Sequence, residues 1–316
     1  MRLEHILKDA ELNEEITRKL SGGELAAPFA STATTSEVLK GLENARSGAP
    51  GISFQTETIV RRMGRPVVLV RDNTFEQPQS EVWCKRLNDV RASIDAAIMA
   101  VGRIEVREHP DYSWVGTAWI VADDIIVTNR HVAAEFAKRQ DSGFVFKRNF
   151  LGRQMMARID FREEHGRPDQ EEFQLSEVLH IEDDDGYDMA FFRVEGSLDN
   201  RRVISLARAV SPQQRIVVLG YPAKDSRVPD QTLMEQIYGS VYDVKRLAPG
   251  EVMDVIDVDA MQFVTHDCTT LGGNSGSVAF DYSGGQAVGL HFGGSYLKAN
   301  YAVPASVVAE RLAGLT

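Results

Sequence analysis

The sequence predicts an all-β domain, a barrel or a sandwich, over residues 101–316, preceded by a hundred residues of mainly helical character. Three observations carry this. From Val101 onward the chain reads as short apolar runs separated by turns. No helical pattern alternates with those runs, as a βαβ sheet would require. No internal repeat recurs at a fixed period.

Taken in order, Leu3, Ile6, Leu7, Leu12, Ile16 and Leu20 stand among charged residues at loosely helical spacing, and Gly22-Gly23 stops that helix. From there to Pro50 the chain is rich in Ser, Thr, Ala and Gly, which predicts a linker or weakly ordered arm. Residues 65–70, RPVVLV, read as a strand, with Pro66 at the start where a missing N–H matters least. A helix begins near Pro78 and Ser80. Trp83, Leu87, Val90, Ile94 and Ala97 or Ile98 then form one apolar stripe that must cover a neighbouring core. The predicted strands are VGRIEV (101–106), GTAWIVA (116–122), IIVTN (125–129), MAFFRV (189–194), RIVVLGY (215–221), FVTHD (263–267), GSVAFD (276–281), AVGLHF (287–292) and NYAVP (300–304). The run 163–173 and the acids Glu182 to Asp185 read as solvated loops. Ser306 to Leu315 forms a closing helix with Val307, Val308, Leu312 and Leu315 free to pack. The expected organisation is therefore residues 1–100 as helical arm, linker and buttress, and 101–316 as the β domain.

With 35 basic and 46 acidic side chains the formal charge is −11, and no basic tail or Arg/Lys stripe offers a surface for nucleic acid. No stretch approaches the roughly 20 apolar residues that span a bilayer. The first residues lack the continuous apolar centre of a secretory leader. The two cysteines, Cys84 and Cys268, make no disulfide framework, so a reducing, cytoplasmic location is expected. No cofactor or metal is expected: His109, His165 and His180 lack the tight spacing of ligands.

Three blocks carry chemistry. A serine hydroxyl needs a base to take its proton, an acid to hold that base's tautomer, and backbone donors where negative charge develops. His131 lies just beyond a strand pair joined at Asp123-Asp124, where Ala133 and Ala134 allow a helical turn. Asp188 stands directly before the apolar run 189–194. Ser275 sits in Thr269-Thr-Leu-Gly-Gly-Asn-Ser-Gly-Ser277, whose glycines allow a bend that turns the N–H groups of Gly273 and Ser275 into a common hole. Gly276 leaves room for a substrate backbone. Taken singly, His131 reads as a surface histidine, Asp188 as a turn cap and the glycine block as an ordinary turn. Their joint occurrence is what signals catalysis.

These blocks resemble those of the trypsin-like, chymotrypsin-fold serine peptidases. His131 in TNRHVA, Asp188 in YDMAFFRV and Ser275 in GGNSGS match that family's three blocks, in its order, over about residues 101–310. The resemblance implies two six-stranded β-barrels with the His131, Asp188 and Ser275 triad in the cleft between them. It also implies an oxyanion hole from Gly273 and Ser275, and a C-terminal helix. The activity implied is that of a serine endopeptidase acting on protein or peptide. One departure concerns Asn274, where the digestive enzymes carry an aspartate that pairs with a new N-terminal amine; activation by that ion pair is not expected here. A second is Cys268, which does not occupy the usual disulfide position.

No acid lies between Cys268 and Ser277, which argues against a basic residue at the cleaved position, P1. The segment GLHFGG (289–294) resembles GIHWGG of bacterial glutamyl endopeptidases, which implies that Thr270 and His291 line the pocket and favour Glu, or Asp or Gln. Gly293 and Gly294 offer a strand edge to the substrate. His291 also reads as a strand residue satisfied inside a barrel. The competing function is a non-catalytic binding or sensor module on the same fold. An α/β-hydrolase is disfavoured by the chain order His, Asp, Ser. The first hundred residues are expected to serve as a pro-region, a self-inhibitor or a docking element for a partner, with Glu57 in QTET (55–58) as a self-cleavage candidate.

Overall fold

The computed structural model describes residues 3–25, 34–49, 52–198, 201, 203–295 and 298–315. It opens with four helices, α1 (Leu3–Leu7), α2 (Ala10–Ser21), α3 (Thr35–Ser47) and α4 (Phe54–Gly64). Ile6, Ile16, Val38, Leu42, Ile59 and Val60 bury themselves in a small apolar cluster of their own. The expected linker therefore contains a helix, and α4 follows it; residues 26–33 and 50–51 lie outside the described residues. What marks α3 is a capping box: Thr34 Oγ1 accepts from Glu37 N–H, and the Glu37 carboxylate accepts from Thr34 N–H at 2.7 Å. Val38, Leu42 and Ala45 then fall on one buried face. Three apolar residues sufficed where composition suggested too few.

A tight hairpin, β1 (Val68–Arg71) and β2 (Thr74–Phe75), turns through Asp72 and Asn73, both at φ +57°. The single helix expected next is two, α5 (Glu81–Asn88) and α6 (Arg91–Met99), broken at Asp89 and Val90. The apolar stripe survives the break: Trp83, Leu87, Ile94, Ala97 and Ile98 are buried.

The first barrel comprises β3 (Val101–Arg107), β4 (Trp114–Ala122), β5 (Ile125–Thr128), β8 (Met156–Asp160), β9 (Glu172–Ile181) and β10 (Ala190–Val194). It closes in the order β10-β5-β4-β3-β8-β9. Between β5 and β8 come helix α7 (Arg130–Phe136) and a side hairpin, β6 (Ala137–Gln140) with β7 (Gly143–Phe146). The second barrel comprises β11 (Arg215–Gly220), β12 (Arg246–Val258), β13 (Met261–His266), β14 (Val278–Asp281), β15 (Gln286–Ser295) and β16 (Ala299–Pro304). Its ring β11-β14-β15-β16-β13-β12 is shut by the pairing of β11 with β12. Helix α8 (Gln231–Tyr238) lies between β11 and β12, and α9 (Ala305–Ala313) closes the chain. The fold is thus the all-β, chymotrypsin-type double six-stranded barrel, flanked by N-terminal helices and ended by a helix.

Strand β12 escapes sequence reading because Pro249 and Gly250 sit inside it. Both lie within the half that pairs with β11, and the pairing passes to β13 only from Val252. In β9, charged and apolar residues alternate on a half-solvated face, which hid it beside the acidic run. The main core runs through both barrels and back to Val70, Trp83 and Ile98. β1 also adds an edge to β12 through Val68 and Leu247. Lys245 is fully buried at this junction, its ammonium donating to Ile98 O at 3.1 Å and Phe161 O at 2.8 Å; burial pushes its pKa down to about 7. Among the described residues no helix is long and apolar enough to cross a membrane.

Candidate active site

The register of one strand pair brings the first two groups together. Ala190 on β10 lies opposite Thr128 on β5 in an antiparallel ladder, so the residues two beyond this pair, Asp188 and Arg130, stand side by side. Helix α7 starts there with Asn129 as its N-cap and presents His131 in its first turn. His131 donates twice to the Asp188 carboxylate: its backbone N–H to Oδ1 at 3.0 Å, and its ring Nδ1–H to Oδ2 at 2.6 Å. A carboxylate only accepts, so the proton sits on Nδ1 and Nε2 is left as a base. Asp188 is largely covered, at 18% side-chain exposure against 48% for the imidazole. Asn129, fully buried, donates from Nδ2 to Asp188 O at 2.8 Å and fixes the strand end to the helix start.

The third group comes from the loop between β13 and β14. Gly273 has φ +83° and Gly276 φ +88°, conformations that side chains rarely adopt. Space is as short as torsion: a Cβ on Gly273 would lie 2.4 Å from Tyr221 O, and one on Gly276 1.9 Å from Thr117 O. Within the loop, Asn274 N–H bonds Leu271 O and Ser277 N–H bonds Asn274 O at 2.9 Å. Among the described residues the N–H groups of Gly273 and Ser275 have no protein acceptor. Asn274 is buried, with Oδ1 accepting from Ser277 Oγ at 3.3 Å.

Thr117 of β4 joins the barrels at this loop, a role the sequence reading missed. Its N–H donates to Ser275 O at 2.8 Å and its hydroxyl to Gly273 O at 2.9 Å, while its carbonyl accepts from Thr128 Oγ1 at 2.7 Å. The available signal was a polar residue inside the apolar run GTAWIVA.

His131 and Ser275 line one cleft of about 490 Å³, together with Thr270, His291, Gly293 and Gly294. Ser275 and His131 both line this space, and among the described residues no hydrogen bond joins their side chains. Deeper in, His291 and His266 are buried, with Nδ1 of the first 3.1 Å from Nε2 of the second. Burial pushes the His266 pKa down to about 3 and that of His291 well below the usual range, with His266 and His131 adding repulsion to the latter. Thr270 donates its hydroxyl to Asn300 Oδ1 at 2.8 Å, and Asn300 Nδ2 donates to Cys268 O at 2.6 Å. Glu57 lies inside α4 with its carboxylate bonded to Arg61 at 2.8 Å, so the segment 55–58 is helical rather than extended like a protease substrate. Among the described residues no cluster of three or more His, Cys, Asp or Glu side chains is arranged to hold a metal ion.

Two closed barrels, a cleft between them and a glycine-shaped serine loop facing a carboxylate-held imidazole define a serine hydrolase of the chymotrypsin type. Residues 116–290 match the family model of the trypsin-like peptidase domain, and the chain belongs to that family. It is 28% identical over 283 residues to a probable serine protease of Lysobacter enzymogenes, a match spanning 80% of this chain and 72% of the relative. Among solved structures it is similar to the active form of the Rv3671c protease of M. tuberculosis, at 17% identity and TM-score 0.47, covering 71% of this chain and 83% of that one. It is also similar to the HtrA-type protease AlgW with a decapeptide, at 14% identity and TM-score 0.49, covering 72% and 67%. The chain is an enzyme, a hydrolase.

Proposed function

We propose that this chain is a serine endopeptidase that hydrolyses peptide bonds through an acyl-enzyme, with His131, Asp188 and Ser275 as its triad and a preference for Glu or Gln at P1. The observation that carries the reading is the doubly bonded His131–Asp188 pair sharing a cleft with Ser275 and two unengaged N–H groups. On this reading Ser275 Oγ meets His131 Nε2 in the substrate complex, since catalytic hydrogen bonds tighten when substrate binds. Nε2 takes the hydroxyl proton as Oγ attacks the carbonyl carbon. The N–H groups of Gly273 and Ser275 hold the tetrahedral oxyanion, each such donor lowering the barrier by about 3 kcal/mol. The imidazolium then protonates the leaving amine, and water repeats the sequence on the acyl-enzyme.

The pocket preference rests on tautomers. His266 Nδ1 is buried, with no hydrogen-bond partner among the described residues. A buried acceptor left bare is tolerated better than a buried N–H, so His266 Nε2–H donates to His291 Nδ1 and His291 Nε2–H is free to donate in the cleft. That donor suits the oxygen of a carboxylate or a carboxamide. Thr270, its proton held by Asn300, lines the same wall as an acceptor and suits the amide of Gln. We also infer a reducing, cytoplasmic setting from two unpaired cysteines, one of them buried.

The test is labelling of Ser275 by a fluorophosphonate combined with digestion of a peptide library. Labelling that vanishes in Ser275→Ala, with cuts after Glu and Gln, is expected. An unlabelled folded enzyme would favour the non-catalytic module, and cuts only after Lys, Arg or large apolar residues would overturn the pocket.

A further inference from the structure

Helix α4 belongs to the N-terminal helices, yet it forms a wall of the cleft. Arg65, at its C-terminal cap, is fully buried and donates from Nη2 to Asp267 Oδ2 at 2.6 Å. Asp267 is equally buried and also accepts from Glu251 N–H at 2.7 Å. Arg65 O further accepts from Thr269 Oγ1 at 2.9 Å. The end of α4 is thus locked onto the stretch 267–269 that leads into the pocket. One helical turn earlier stands Arg61, on the same face, only 5% exposed and lining the same cleft as Thr270, Ser275 and His291. Its Nε and Nη2 both contact Glu57 Oε1, at 2.9 and 2.8 Å, and this holds the guanidinium in place on its own helix.

The charge of the lining is the second observation. In a chain of net charge −11, the cleft lining among the described residues carries Arg61, Arg227 and Lys298 against one acid, Asp225. Asp225 is already taken by Arg227, which grips both its oxygens at 2.8 and 2.7 Å. The two buried imidazoles supply donors but no charge. A cleft that is cationic within an acidic protein draws anionic side chains and gains most where water is excluded.

We propose that Arg61 is a specificity-determining residue that reads the carboxylate of an acidic P1 side chain, so that the N-terminal helices are a working part of the substrate pocket. This rests on the acidic-pocket reading above and adds to it: His291 distinguishes an oxygen-bearing side chain from an apolar one, and Arg61 distinguishes Glu from Gln. The substrate carboxylate displaces Glu57 from the guanidinium, exchanging one charge-assisted bond for another.

Full-length enzyme and its Arg61→Gln variant are compared on peptides that differ only in Glu or Gln at P1, with active sites counted by fluorophosphonate titration. The expected result is a fall of about tenfold or more in the Glu-to-Gln ratio of kcat/KM, the scale of one charge-assisted bond. The rate on the Gln peptide stays within about threefold, and Arg61→Lys is intermediate. Glu57→Gln keeps the charge but removes its competitor, so its ratio rises; it carries the test if Arg61→Gln does not fold. An unchanged ratio in either variant, or equal losses on both peptides, overturns the proposal. If the native enzyme cuts after neither Glu nor Gln, the acidic pocket itself has failed, and the native profile alone reveals it.

Discussion

In the first barrel the groups proposed for catalysis are side chains held by other polar groups: two bonds from His131 to Asp188 and one from Asn129 to Asp188 O. In the second barrel the equivalent work is done by backbone shape. Two glycines at positive φ, each with a backbone oxygen where a Cβ would go, aim the Ser275 loop. The first arrangement tolerates loss of a side chain without loss of fold and fails chemically. The second tolerates almost no added atom and fails structurally.

That contrast can be broken by substitution. The largest effect is expected for Ser275→Ala, a loss of turnover on the order of 10⁶-fold with thermal stability unchanged. Asp188→Asn follows, at about 10⁴-fold, because an amide facing Nδ1 favours the tautomer with the proton on Nε2. Initial rates on the best library peptide, beside melting curves, check both; a melting point that collapses in Asp188→Asn would show the first barrel to be as shape-bound as the second. Gly276→Ala in the second barrel should instead destabilise the fold by about 3 kcal/mol or more, read by chemical denaturation. A folded and fully active Gly276→Ala enzyme would dissolve the distinction.

The smallest effect concerns pH. His266 titrates near 3 when folded because burial disfavours its charge, against about 6.5 when unfolded. Below pH 6.5 the unfolded chain binds a proton that the folded one refuses, so stability falls as pH drops toward 3 and is flat above 7 on this account. His266→Gln should remove up to about 1.4 kcal/mol per pH unit from that slope. Denaturation midpoints between pH 4 and 7 decide it; an undiminished slope would put the acid sensitivity elsewhere.

The uneven legibility of the sequence follows the same division. The three blocks proposed for catalysis leave local traces in the sequence: glycines at 272, 273 and 276, and polar residues bordering apolar runs at His131 and Asp188. Most barrel strands were readable by their apolar runs. What escaped were residues whose task is set by distant partners: Thr117, which ties β4 to Gly273 and Ser275, and Arg65, whose partner is Asp267. β12 escaped because Pro249 and Gly250, which usually end strands, lie inside its pairing with β11. Helix α3 is hidden because its small, polar composition resembles a linker, and only the Thr34–Glu37 cap marks its start.

The Arg65–Asp267 pair joins positions 202 apart in the chain and does so where water cannot screen it. Stripping either partner away strands a lone ion in the interior, at a penalty of about 3–5 kcal/mol. Heat or denaturant that peels the leading helices from the barrels therefore meets this penalty at once, and it falls on the residues beneath the cleft. Amide exchange at the end of α4 and in the stretch 267–269 should therefore rise and fall in step.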